Sequence, residues 1–178
     1  MAQNRTIDQA IDELVKDYKR VAERAAKYAT KKMKDDIFSR SLKILQKYYD
    51  NYTRYTGQPK SYDRTYRLQD SFVPFSNVTT YNDKILCSMG IIYDYARLDG
   101  YYYGSKQYQP TDSEWIVDNY LSGIHPTTNG SSILEDVEYI PIKDEYSPTY
   151  LMDGYLDICK KKFSNYMMIS FMDQLFKR

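Results

Sequence analysis

Histidine, tryptophan and cysteine are almost missing from this chain of 178 residues, which has 1 His, 1 Trp and 2 Cys. The two cysteines, Cys87 and Cys159, are far apart and fit no metal or redox spacing. Adding His125 still leaves too few soft ligands for a zinc site, so the sequence implies no metal and no cofactor. Both cysteines lie in apolar stretches, where buried free thiols are expected. No Gly-rich phosphate loop, HExxH or GxSxG occurs, and His125 lies between Ile124 and Pro126 with no triad partner in view. The carboxylate pairs Asp35-Asp36 and Glu135-Asp136 are adjacent in sequence, whereas acid–base work needs two carboxyls converging across a cleft. The expectation is a protein that is not an enzyme. No run of about 18 apolar residues is present and the first residues are polar. The chain is therefore expected to be made in a reducing cytoplasm, with no signal peptide and no membrane partner.

What is abundant is tyrosine, with 21 copies against 6 Phe. Its large apolar body and polar tip suit surfaces that are buried on association, although a Tyr-rich composition of the source genome would give the same count. Hydrophobic residues at 42% and charged residues at 28% place the chain among ordered globular proteins. The formal net charge is only +1, but its distribution is uneven. Residues 1–50 hold 12 Lys/Arg and 8 Asp/Glu, and residues 80–146 hold 4 and 11, giving +4 and −7. Oppositely charged regions permit head-to-tail joining of copies, which closes into rings for suitable rotations. Solvated faces explain the same asymmetry.

Thr6 and Gln9 form a capping-box pattern, after which Ile7, Ile11, Leu14, Tyr18, Val21, Ala25 and Tyr28 recur at helical spacing. No Gly or Pro intervenes before Gly57, so the helix runs to about Tyr49, with Asp35-Asp36 the best place for a break. Some 40 residues would span roughly 60 Å, which leaves part of the helix to face solvent or another subunit. Ala22, Ala25, Ala26 and Ala29 would allow close packing there. Lys16, Lys19, Arg20, Arg24, Lys27, Lys31, Lys32 and Lys34 place several cations on one face of this helix. Such a stripe suits phosphate contact and equally suits the wet side of an amphipathic helix, since Asp12, Glu13, Asp17 and Glu23 intervene.

Val73–Thr80 and Ile85–Tyr95 read as strands joined by a hairpin turn at Tyr81-Asn82-Asp83-Lys84. Gly90 within the second marks a bulge or a close approach. Thr111-Asp112-Ser113-Glu114 is a second capping box, opening a helix that stops at Gly123. His125–Ser132 reads as a flexible loop, and Glu138–Ile142 as a short strand. Ser147-Pro148 starts a last helix rich in Leu, Met, Phe and Tyr, apolar enough to face a core or a partner. The expected fold is α+β: a small, mainly antiparallel β-sheet packed against a long N-terminal helix and a C-terminal helix. It forms a single domain over residues 1–178, with helices over about 6–50, 112–122 and 148–176 and the sheet over about 72–98.

Two stretches carry a resemblance. Tyr62, Arg64, Thr65, Leu68 and Ser71 match a Tyr-x-Arg-Thr-Gly-x-Leu-x-x-Ser pattern, with Tyr66 where glycine is usual. Thr65 and Ser71 would cap a short turn, Leu68 and Phe72 would anchor it, and Arg64 and Arg67 would point outward. Tyr95-Ala96-Arg97 through Gly100 matches a Tyr-Ala strand leading to Glu-x-Gly, with Asp99 near the glutamate position and a shortened spacing. In these motifs and in the order of its elements the chain resembles a family of tailed-phage tail components and tail-completion proteins.

The resemblance implies a structural virion protein that forms a ring at the neck or head-proximal end of the tail. Tail terminators of that kind are usually six-fold, and adaptors nearer the portal twelve-fold. Its partners would be copies of itself, neighbouring neck and tail-tube proteins, and DNA passing through the lumen without sequence-specific contact. Some of the acidic excess would line that lumen. In such a ring the basic N-terminal helix or the Arg64/Arg67 turn would meet the acidic 94–145 region of the next copy. Arg64, Arg67, Tyr93, Tyr95, Arg97, Asp99, Tyr101, Tyr102 and Tyr103 are the candidate contact residues, on strand edges around Ile91–Arg97 and the tyrosine loop. The other reading is a small cytoplasmic protein that binds a nucleic acid or a partner through its basic helix.

Overall fold

The computed structural model describes residues 6–56, 67–98, 113–122, 124–128, 137–141 and 148–176. The fold is α+β, with a long N-terminal helix, antiparallel hairpins and a long C-terminal helix. In order, the elements are α1 (Ile7–Thr56), α2 (Arg67–Asp70), β1 (Phe72–Tyr81), β2 (Lys84–Tyr93), a 3-10 turn (Tyr95–Arg97), α3 (Ser113–Ser122), β3 (Ile124–Thr128), β4 (Val137–Pro141) and α4 (Pro148–Phe176). The strands make two separate two-stranded sheets, β1-β2 and β3-β4. Two compact units share these elements. Unit 1 comprises Met1–Asp35, Phe75–Gly90 and Cys159–Arg178, and unit 2 comprises Asp36–Pro74 and Ile91–Ile158.

Local chemistry sets the element ends. The Gln9 N–H donates to Thr6 Oγ1 at 3.3 Å, and the Thr6 N–H donates to Gln9 Oε1 at 3.2 Å. This reciprocal box satisfies two of the donors that a helix start leaves open. α1 then stays helical through Asp35-Asp36, where the sequence suggested a break; the unit boundary falls at that pair. Asn82 and Asp83 have φ of 46° and 61°, the left-handed values that a two-residue hairpin turn needs and that Asn and Asp tolerate. α4 begins at Pro148, where the missing N–H costs nothing.

Register in β1-β2 follows from one bond. The Asp94 N–H donates to the Ser71 carbonyl at 2.7 Å, so 71 and 94 form a hydrogen-bonded pair, and pairs 73/92 and 75/90 follow by steps of two. Pro74 falls between them, its nitrogen turned to the free edge where a missing donor breaks no ladder bond. Phe75 lies opposite Gly90, and a Cβ added at Gly90 would stand 3.0 Å from Phe75 Cε1. The glycine expected to mark a close approach thus gives room to a cross-strand ring.

In unit 2, Leu45, Tyr48, Leu68, Phe72, Leu98, Val117 and Tyr120 form one buried cluster, flanked by Phe38, Leu42, Ile91, Tyr93 and Leu121. Its rings meet edge to face, as aromatic quadrupoles favour: Tyr48–Tyr120 at 5.1 Å and Phe72–Tyr93 at 5.2 Å. In unit 1, α1 buries Val21, Ala25, Ala26, Ala29, Thr30 and Met33. Ala25, Ala26 and Ala29, which the sequence offered to another subunit, are covered inside the protomer. Lys19 Nζ meets Asp83 Oδ1 at 2.7 Å, and the Thr80 hydroxyl donates to Glu23 Oε1 at 2.8 Å, tying α1 to the hairpin.

Two expectations are corrected. β2 ends at Tyr93, so Tyr95-Ala96-Arg97 is a 3-10 turn and not a strand. The reason is tertiary: the ladder ends with the Asp94–Ser71 bond, and the fully buried Leu98 draws the following residues inward. Residues 125–128, read as the start of a flexible loop, belong to β3 and pair antiparallel with β4, with His125 opposite Ile140 and Pro126 opposite Tyr139. Pro126 is tolerated because each strand of a two-stranded sheet keeps one free edge. Asp112, the tyrosine loop and Ser147 lie outside the described residues.

Candidate functional site

Four of the nine candidate contact residues, Arg67, Tyr93, Tyr95 and Arg97, lie around the 3-10 turn, and the fold gives them unequal roles. Arg67 begins α2 and is half-buried; its carbonyl accepts the Ser71 N–H at 2.9 Å. The Ser71 hydroxyl donates to the Leu68 carbonyl at 2.7 Å, so Ser71 caps this turn while Leu68 and Phe72 enter the core. Tyr93 ends β2 with its ring between Phe72 and Tyr120, at 5.2 and 6.4 Å. Burial, followed by the neighbouring Tyr95, pushes its phenol up to about 12. Tyr93 is thus largely a core side chain.

Tyr95 is exposed on the 3-10 turn. Arg97 braces that turn: its Nε donates to Asp94 Oδ2 at 2.9 Å and its Nη1 to the Asp70 carbonyl at 2.6 Å. The guanidinium fork suits this two-way grip. Of the sequence-nominated residues, Arg67, Tyr93, Tyr95 and Arg97 share one region of unit 2. Arg64, Asp99, Tyr101, Tyr102 and Tyr103 lie outside the described residues.

Unit 1 holds a surface that sequence reasoning did not single out. At about 100° per residue, Val21, Ala25 and Ala29 define the buried side of α1. The same side continues toward the start of the helix as Tyr18, Leu14, Ile11 and Ile7, which are 58%, 72%, 53% and 80% exposed. The spacing of four, three and four residues is that of a coiled-coil seam, so the packing side outruns what covers it. At the other chain end Met168, Ile169, Met172 and Phe176 of α4 are also exposed. Tyr18 and Phe171 join the two helices edge to face at 5.1 Å. The seam was visible as periodicity; that the described residues leave it largely exposed was not.

The charges of α1 distribute differently from this apolar side. Lys19 is held by Asp83, which Lys19 keeps below the usual carboxylate range by hydrogen bond and charge. Lys34 meets Asp35 at 3.4 Å, and Lys32 sits 5.9 Å from the centre of the Tyr28 ring. Among the described residues no three His, Cys, Asp or Glu side chains converge as metal ligands, and no helix is long and apolar enough to cross a membrane. Compared with known proteins, the chain matches no protein-family model, no curated protein and no solved structure.

Proposed function

We propose that this chain is a structural subunit of a tailed-phage particle, assembling with copies of itself into a ring at the neck or head-proximal end of the tail. The observation that carries the reading is the largely exposed seam Ile7, Ile11, Leu14 and Tyr18, which continues the packing side of α1. A large apolar side chain gains about 1.5–3 kcal/mol when fully buried, so Ile7, Ile11 and Leu14, each more than half exposed, are an incomplete interface. Contiguous exposed apolar surface of this kind marks association sites. The exposed α4 residues Met168, Ile169 and Met172 add to the same unit. The motif around Arg64–Ser71 supports the phage assignment by resemblance.

In this account the ring has the six-fold or twelve-fold symmetry of neck components, adjoins other neck and tail-tube proteins, and lets DNA pass through. The protein is then a virion component made in the host cytoplasm. The test is to tag the chain in its phage and image particles by cryo-electron microscopy. Density for a closed ring of this chain at the head–tail junction is the expected result. Complete particles lacking the chain would overturn the proposal.

A further inference from the structure

The side of α1 turned away from its packing face carries a line of cations. At about 100° per residue, Lys16, Arg20, Arg24, Lys27 and Lys31 fall within an arc of about 80°, centred about 140° around the helix from Val21, Ala25 and Ala29. All five are exposed. From Lys16 to Lys31 the helix rises about 22 Å, with successive charges about 4.5–6 Å apart along the axis. The only carboxylates in that span, Asp17 and Glu23, lie about 20° outside the arc on either side. Asp17 meets Arg20 at 3.6 Å, and Glu23 accepts the Thr80 hydroxyl. Among the described residues Lys16, Arg24, Lys27 and Lys31 have no ion pair.

Helix stability alone does not account for this pattern. Opposite charges at i,i+4 stabilise a helix and like charges destabilise it; Asp12/Lys16 and Glu23/Lys27 are opposite-charged, but 16/20, 20/24 and 27/31, the pairs along the line itself, are all like-charged. A straight, singly signed line suits a linear polyanion whose charges recur along an axis. The acidic midsection of a second copy fits less well. Two of its described carboxylates are already engaged within their own chain, Asp83 by Lys19 at 2.7 Å and Asp94 by Arg97 at 2.9 Å.

We infer that Lys16, Arg20, Arg24, Lys27 and Lys31 bind the phosphate backbone of a nucleic acid. Contacts to phosphates hold register without reading bases, so the site takes any sequence. The inference stands apart from the ring reading, because one protomer presents the whole line.

The experiment is fluorescence anisotropy of the full chain with a short labelled duplex DNA of arbitrary sequence, across a salt series. Neutralising five phosphates gives a slope of log K against log salt of about −4.5, hence a roughly 500-fold loss between 50 and 200 mM salt. Arg24→Gln with Lys27→Gln is expected to lower that slope by about 1.8. Lys43→Gln with Lys47→Gln removes equal charge from exposed positions off the line and leaves the slope unchanged. Duplex RNA and single-stranded DNA run in parallel, and the tighter probe names the source of the phosphates.

Equal losses in the two double variants would reduce the effect to net charge and overturn the site. So would an absence of binding to every probe, or a stripe variant that loses self-association while nucleic acid never binds. The ring reading fails by a different result, the absence of the chain from particles.

Discussion

Phe72→Ala tests the packing that holds the α2 turn, the β1-β2 hairpin and α3 together. Phe72 is only 4% exposed and touches Tyr93 at 5.2 Å and Tyr120 at 5.6 Å. Truncating a core phenylalanine costs about 3–5 kcal/mol through lost transfer and the cavity left behind. Each aromatic contact contributes about 0.5–1.5 kcal/mol beyond its area. These contributions do not add, because Tyr93 and Tyr120 also face one another at 6.4 Å. The expected loss is about 4 kcal/mol. With a urea m-value of about 2 kcal/mol/M, the midpoint moves down by about 2 M at constant m. Total stability is of order 5–15 kcal/mol, so Phe72→Leu is the companion, expected to cost about 1–1.5 kcal/mol. The assay is urea unfolding followed by circular dichroism. A Phe72→Ala shift below about 0.5 M at constant m, or a Leu variant as damaging as Ala, would refute the packed position assigned to this ring.

Three further outcomes follow from single positions. Gly90→Ala puts a methyl group 3.0 Å from the Phe75 ring; it should cost about 1 kcal/mol, and the cost should vanish in a Phe75→Ala background, as a thermal double-mutant cycle would show. Gly154 sits inside α4 with nothing within 4 Å of an added Cβ, so Gly154→Ala should stabilise by about 0.5–1 kcal/mol, read as a higher melting temperature. The Tyr93 phenol is raised to about 12 in the folded protein, against about 10 when unfolded. The unfolded state therefore releases this proton first, and the stability it contributes is intact below pH ~10 and fades as pH rises toward about 12. The full shift corresponds to at most about 3 kcal/mol, and less where solvent reaches the ring; Tyr93→Phe should flatten that part of the pH profile of denaturant midpoints.

Where local chemistry decides, the residues predicted the structure. The Thr6–Gln9 box, the Asn82-Asp83 turn and Pro148 at the head of α4 all act within a few residues, so their spacing was readable. Leu68 and Phe72 were likewise legible as the anchors of the α2 turn. The misses have non-local causes. Tyr95-Ala96-Arg97 continues directly from the apolar run of β2 and so reads as strand, but the buried Leu98 and the Arg97 grip on Asp94 and on the Asp70 carbonyl wind it into a 3-10 turn. Residues 124–128 contain loop-forming residues and become a strand only by pairing with 137–141. Ala25, Ala26 and Ala29 announced close packing without saying against what, and the protomer itself supplies the cover. Periodicity likewise displayed Ile7, Ile11, Leu14 and Tyr18 as one side of a helix. Only the folded chain shows that, among the described residues, this stretch is left largely exposed while the stretch after it is buried.

The most direct measurement is sedimentation velocity of the intact chain beside Leu14→Asp, a substitution at an exposed position that is expected to leave the circular dichroism spectrum unchanged. The account predicts that the natural chain reaches a closed oligomer with rising concentration and that the aspartate variant remains a protomer under the same conditions. Identical sedimentation of both as single protomers, at every concentration and in the presence of assembled tails, would contradict it.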